Sequence, residues 1–209
     1  MTKFLVVFDV DSTLIEDEAI ELLADASGTR EMVAQITERA MRGELDFAQS
    51  LHERVATLAG LDESILEKTA ARLRPTRGAK ELIAEIHARG GKAAAVSGGF
   101  NQLLEGLRHD LGLDFARANT LEVDAGRLTG RVVGEVVDRA AKASYLQRWA
   151  GELGVDLRDT IAVGDGANDL DMMRVAGLSV AFCARERVRA EAKVAIDDRD
   201  LSYLISILP

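Results

Sequence analysis

Two aspartates, Asp9 and Asp11, close the apolar run at 3–8, and Ser12 and Thr13 follow them. A carboxylate at such a place can attack phosphorus and form an aspartyl phosphate, which splits one hard step into two easier ones. A second carboxyl two residues on can protonate the leaving oxygen and then activate the water that cleaves the intermediate. The two acids can divide these roles only if their surroundings differ. Two more apolar runs end in polar residues. VSGG at 96–99 offers the Ser97 hydroxyl and the Gly98 and Gly99 backbone, and GDGAND at 164–169 offers Asp165, Asn168 and Asp169. Carboxylates gathered in one crevice repel one another. A hard cation with oxygen ligands relieves this, and Mg²⁺ suits one or two carboxylates plus a phosphate. Glycines let backbone N–H groups approach an anion, and Lys142 adds a cation near a predicted helix start. Singly, an Asp-x-Asp is often a turn, Lys142 a solvated helix residue, and Ser97 with its glycines a helix cap. Their order on successive strand ends carries the reading of a Mg²⁺–phosphate site.

The elements needed to position these residues follow from pattern. The runs at 3–11, 91–99, 159–166 and 177–183, with a weaker one at 193–198, are short and continuously apolar, as in strands buried on both faces. Helical patterns at about 79–89, 100–109, 139–153, 168–175 and 200–207 alternate with them. That alternation predicts a doubly wound, Rossmann-like α/β parallel sheet, which binds ligands beyond the carboxyl ends of its strands. Residues 16–74 break the rhythm with amphipathic helical stretches and no strand pattern. A helical-bundle cap at 16–75 is expected, inserted into a core of 1–15 and 76–209. The run at 118–134 turns at DAGR and reads as a small β-hairpin flap.

Composition narrows the function. The chain has 209 residues, 47% hydrophobic and 29% charged, with a net charge of −9. An acidic surface repels phosphate backbones, so nucleic acid is not an expected partner. The single cysteine, Cys183, excludes an intrachain disulfide and reads as a buried small hydrophobe. His52, His87 and His109 are scattered and make no zinc pattern. No apolar stretch reaches membrane-span length, and the N-terminal run ends in acids instead of a cleavage site, so a cytoplasmic location is expected.

DVDST, VSGG, Lys142 and GDGAND resemble, in order, the four motifs of the haloacid dehalogenase-like hydrolases. RAMRGELDFAQSLHERV and VGDGANDLDMMRVAGLSVAF resemble the members of that family that hydrolyse O-phospho-L-serine in serine biosynthesis. The resemblance covers nearly the whole chain, and a regulatory extension ahead of it is not expected. It implies Asp9 as nucleophile and Asp11 as general acid and base. It implies Mg²⁺ held by the Asp9 and Asp165 side chains and the Asp11 backbone carbonyl, with Asp169 supporting through water. Ser97 and Lys142 would hold phosphoryl oxygens, with backbone N–H groups around Ser12 and Gly98, and Asn168 beside the phosphate. In the cap, Glu18 would pair with the substrate ammonium and Arg54 would grip its carboxylate as a planar fork. Phe47 would screen the site from water and Met41 would line the same pocket.

Two other readings stay open. One is a phosphatase for another small phosphomonoester. The other is a phospho-aspartate signalling domain, which the large insert and the placement of Asp11 oppose. Oligomeric state, monomer or homodimer, is not legible in the sequence.

Overall fold

The computed structural model describes all 209 residues except the side chain of Met41. Seven strands form one sheet in the order β4-β3-β2-β1-β5-β6-β7. They are β1 (Leu5–Phe8), β2 (Lys92–Phe100), β3 (Phe115–Asp124), β4 (Arg127–Val133), β5 (Thr160–Gly164), β6 (Leu178–Phe182) and β7 (Val194–Ile196). Every neighbouring pair is parallel except β3 with β4. β1 lies between β2 and β5, so successive crossovers leave it in opposite directions. The crevice beyond its carboxyl end is where an open α/β sheet binds ligands.

Alternation along each strand explains the two-sided burial. Phe4, Val6 and Phe8 pack in one cluster, with Leu82, Ile86, Leu104 and Leu107 from α5 (Ala79–Ala88) and α6 (Asn101–Leu111). Leu5 and Val7 pack on the other face, with Leu146 and Trp149 from α7 (Arg139–Leu153) and Met172 from α8 (Leu170–Val175). Between β1 and β2 run α1 (Ala19–Ser27), α2 (Arg30–Met41), α3 (Phe47–Ala56) and α4 (Ser64–Ala70). Their apolar faces make a third cluster around Leu23, Leu51, Val55 and Leu58, which Phe100, Leu103, Leu121 and Leu128 of the sheet side complete.

Four expectations are revised. Phe100 is the last residue of β2, not the first of a helix. The hairpin is no separate flap: β3 starts at Phe115, pairs in parallel with β2, and belongs to the main sheet. The last helical stretch is a 3₁₀ segment at Leu201–Ile207. A short helix, α9 (Glu186–Glu191), had no counterpart in the sequence pattern, because its six residues ERVRAE hold one buried apolar residue, Val188. The hairpin turn itself is as read. Ala125 and Gly126 both have positive φ, 46° and 76°, the geometry of a tight two-residue connection.

Candidate active site

The strand ends of β1, β2 and β5 meet at a cleft of about 690 Å³ roofed by the inserted helices. Asp9 directly follows β1, and a single wide turn comes next at Val10–Leu14, closed by the Ile15 N–H on the Val10 carbonyl at 3.0 Å. Val10 points into the core, so Asp9 and Asp11 both face the cleft. Ser12 sits at φ 57°, which turns the chain toward the insert. Thr13 is fully buried, and its hydroxyl reaches Asp165 Oδ1 at 3.3 Å.

Asp9, Asp165 and Asp169 offer carboxylate oxygens within 4.8 Å of one another. Lys142, projecting from the first turns of α7 and only 1% exposed, sets its Nζ 2.7 Å from both Asp9 Oδ1 and Asp169 Oδ1. Asp138 starts that helix by accepting the Ala141 N–H. Asp9 Oδ1 also accepts the Val10 N–H at 2.7 Å. Asp9 Oδ2 takes no hydrogen bond among the described residues, which leaves it free at the cleft floor.

One ammonium does not balance three clustered carboxylates. Burial, then Asp169, pushes the Asp9 carboxyl well above its usual range, with Lys142 pulling against them. Burial and Asp169 likewise lift Asp165 to about 6. Burial opposes charge on Lys142 as well, but Asp169 and Asp9 outweigh it and keep the ammonium protonated. A donor set of carboxylate oxygens that is short of positive charge fits a hard divalent cation.

The Asp11 side chain is not part of this triad. Its Oδ1 accepts the Ala19 N–H at 2.6 Å, at the start of α1, and its Oδ2 accepts the Ser97 hydroxyl at 3.0 Å. Both of its carboxylate oxygens are thus engaged outside the acidic cluster. Burial raises the Asp11 carboxyl, against these hydrogen bonds and Lys142. Asp169 bonds Lys142 directly and accepts the Gly166 N–H at 3.0 Å. The N–H groups expected to be open around Ser12 and Gly98 are partly engaged. Ser12 donates to the Asp17 carbonyl, and Gly99 to Ser97 Oγ at 2.7 Å.

Glu18, Phe47 and Arg54 all line the cleft, as do Gly98 and Asn168. Phe47 opens α3 behind a capping box in which Asp46 and Gln49 satisfy each other's backbone N–H groups. Its ring closes on Gly98, where a Cβ would lie 2.9 Å from Phe47 Cζ. Arg54 donates through Nε to the Ser50 carbonyl, which aims its guanidinium at the cleft. Burial lowers its pKa, while Glu18 and Asp11 hold it up. Glu18 accepts the Ser12 hydroxyl at 2.6 Å and is open to solvent at the mouth. Although one edge is open, desolvation against the cleft wall, then Asp11, pushes its pKa up to about 7, with the Ser12 hydrogen bond pulling against them. The Met41 side chain, expected in this pocket, lies outside the described residues.

Arg185 and Arg187 also line the cleft, and neither was singled out from sequence. They follow β6, whose carboxyl end opens on the same crevice, so the strand-end rule applied one strand further would have found them. Cys183, expected to be buried, is half-buried at φ 47° and donates to the Asp197 carbonyl. The three histidines are exposed and lie outside the cleft, and His87 pairs with Asp114 at 2.8 Å.

The haloacid dehalogenase-like hydrolase model matches residues 6–174. The phosphoserine phosphatase of Streptococcus thermophilus is 52% identical over 206 residues, 99% of this chain and 96% of that protein. That of Streptomyces coelicolor is 55% identical over 98% of this chain, which spans only 50% of it. A solved phosphoserine phosphatase bearing a phospho-aspartyl intermediate analogue superposes with a TM-score of 0.93 at 44% identity, over 100% of both chains. This chain therefore belongs to the haloacid dehalogenase-like hydrolases, in the branch formed by the phosphoserine phosphatases.

Proposed function

We propose that this chain is a Mg²⁺-dependent phosphatase that converts O-phospho-L-serine and water to L-serine and phosphate, the closing step of serine biosynthesis. The observation that carries the reading is the pairing of two chemistries in one cleft. Asp9, gripped by Lys142 and grouped with Asp165 and Asp169, lies on the floor, and a carboxylate and an arginine face the same space from the insert side. Phosphoserine carries a phosphate, an ammonium and a carboxylate, and each finds a counterpart. The likeness to a structure that bears a phospho-aspartyl analogue supports the covalent route.

In this mechanism Asp9 Oδ2 attacks phosphorus as the bond to the serine oxygen breaks, and Asp11 gives that oxygen its proton. Asp11 then takes a proton from water. The water oxygen attacks phosphorus, phosphate leaves, and the Asp9 carboxylate is restored. The Asp9 and Asp165 side chains, with the Asp11 carbonyl and Asp169 nearby, would hold Mg²⁺, which neutralises charge on the phosphoryl oxygens when bound. Lys142, Ser97 and Asn168 orient the phosphoryl group. Glu18 holds the ammonium, Arg54 the carboxylate, and Phe47 excludes water. Segment 16–75 works as a cap over the core of 1–15 and 76–209. Monoester hydrolysis leaves a barrier on the order of 20 kcal/mol to remove, so these contacts must act together.

The test is phosphate release from O-phospho-L-serine and a panel of phosphomonoesters, with Mg²⁺ and with chelator. Expected is a strong, metal-dependent preference for phosphoserine. Arg54→Ala should cut kcat/KM for phosphoserine by about 100-fold or more, as loss of a buried charged partner does, and leave a bare aryl phosphate nearly unaffected. Equal losses on both substrates would discard the amino-acid pocket.

A further inference from the structure

Asn119 lies in β3, 2% exposed, outside the four motifs and outside the cleft lining. Asparagine is disfavoured in strands, and a buried amide is tolerated only when its groups are bonded. Both ends of this one are. Its Nδ2 donates to the Gly98 carbonyl at 2.8 Å, and its Oδ1 accepts the Val137 N–H at 2.8 Å. It stands where the β2–β3 register shifts, between Val96 and Phe100.

The Gly98 carbonyl and the Gly99 N–H belong to one planar peptide unit. Asn119 grips that plane at the carbonyl end, and Ser97 Oγ accepts from the N–H end at 2.7 Å. The plane thereby sets the Ser97 hydroxyl, which donates to Asp11 Oδ2. On its other side Asn119 holds Val137, next to Asp138, the residue that starts the helix carrying Lys142. We propose that Asn119 is a positioning residue: one buried amide couples the peptide plane that orients Ser97 to the start of the Lys142 helix, so the phosphoryl-binding groups from two elements keep a fixed spacing. This rests on the reading of the site as a phosphomonoesterase. It predicts a defect confined to the phosphoryl end of the substrate.

The test compares Asn119→Ala and Asn119→Asp with the unmodified chain, and with Thr160→Ala as a control for loss of a buried hydrogen bond far from the cleft. The aspartate keeps an acceptor for Val137 but cannot donate to Gly98 when ionised, so it reads the Gly98 bond even where the alanine variant does not fold. Misplacement of this kind costs about 10- to 100-fold. Expected in both variants is a kcat reduced by that factor and a weaker affinity for inorganic phosphate, read by calorimetry with Mg²⁺ present. Competitive inhibition by L-serine should stay unchanged, as should every constant of Thr160→Ala. Lower thermal stability with phosphate affinity and kcat intact would overturn the proposal, as would parallel weakening of phosphate and L-serine. No phosphate release by the unmodified chain from any phosphomonoester would overturn the functional reading itself.

Discussion

At the scale of single residues the site is governed by unequal charge. Lys142 is protonated between Asp9 and Asp169, and the remaining excess of carboxylate forces protons or a cation into the cluster. Removing Lys142 would leave buried acids without their partner, a far larger penalty than losing a surface ion pair. Glu18 carries a testable consequence. Its pKa in the folded chain stands near 7 against an ordinary 4.5, so the folded protein holds a proton there that an unfolded chain has already lost. Its ionisation therefore weakens the fold as pH rises between those values. An ammonium pairs only with the ionised form. As pH falls below about 7, kcat/KM for phosphoserine should drop relative to that for a phosphomonoester without an ammonium, because Asp165 and the phosphate itself titrate with both substrates. Glu18→Gln should flatten that ratio across the range. A ratio that follows pH equally in the variant would remove Glu18 from the pocket.

At the scale of elements, hydrogen bonds at the linkers and at the hairpin add to the shared apolar cluster in fastening the insert to the sheet. Its linkers pair where Ile15 meets Pro75, and Asp17 there takes the Arg74 backbone N–H and guanidinium, at 2.8 and 2.7 Å. The turn after α3 is bonded to the hairpin, with Gly60 donating to Leu128, Leu128 to Leu61 and Glu63 to Gly126. Gly130 permits this approach. At φ +81° a Cβ would lie 2.8 Å from Ala59 Cβ and 3.3 Å from Ala56 Cα. Gly130→Ala should lower the unfolding free energy by about 1–3 kcal/mol through strain and overpacking, read by urea titration. A change within about 0.5 kcal/mol, the range of an ordinary surface substitution, would mean that the hairpin does not bear on the insert. Legibility follows the same physics. β1, β5 and β6 were readable because double-sided burial writes continuous apolar runs, and α1 to α4 because each presents an amphipathic stripe. The hairpin's attachment was not readable, since backbone hydrogen bonds and a glycine contact leave no side-chain pattern. β2 was readable through Ser97, Gly98 and Gly99, but its last residue, Phe100, was read as the start of the helix that follows. The motif acids were legible by their strand ends, but the turning of the Asp11 carboxylate onto Ala19 and Ser97 depends on contacts from 8 and 86 residues away.

At the scale of the whole molecule an acidic chain of net charge −9 must admit an anionic substrate. The cationic groups at the cleft offset that charge locally. Lys142 lies buried beneath its floor against Asp9, Arg54 lies on the insert, and Arg185 and Arg187 on the rim beyond β6. Among the described residues no helix is long and apolar enough to cross a membrane. The proposed route requires Asp9 to become covalently phosphorylated during turnover. The measurement that tests this most directly is rapid acid quench of the chain turning over O-phospho-L-serine labelled with ³²P, followed by peptide mapping of the label. Expected is an acyl phosphate on Asp9 that forms and decays at rates compatible with turnover, and neither label nor phosphate release in Asp9→Asn. Sustained phosphate release with no label on Asp9, or full activity in Asp9→Asn, would contradict it.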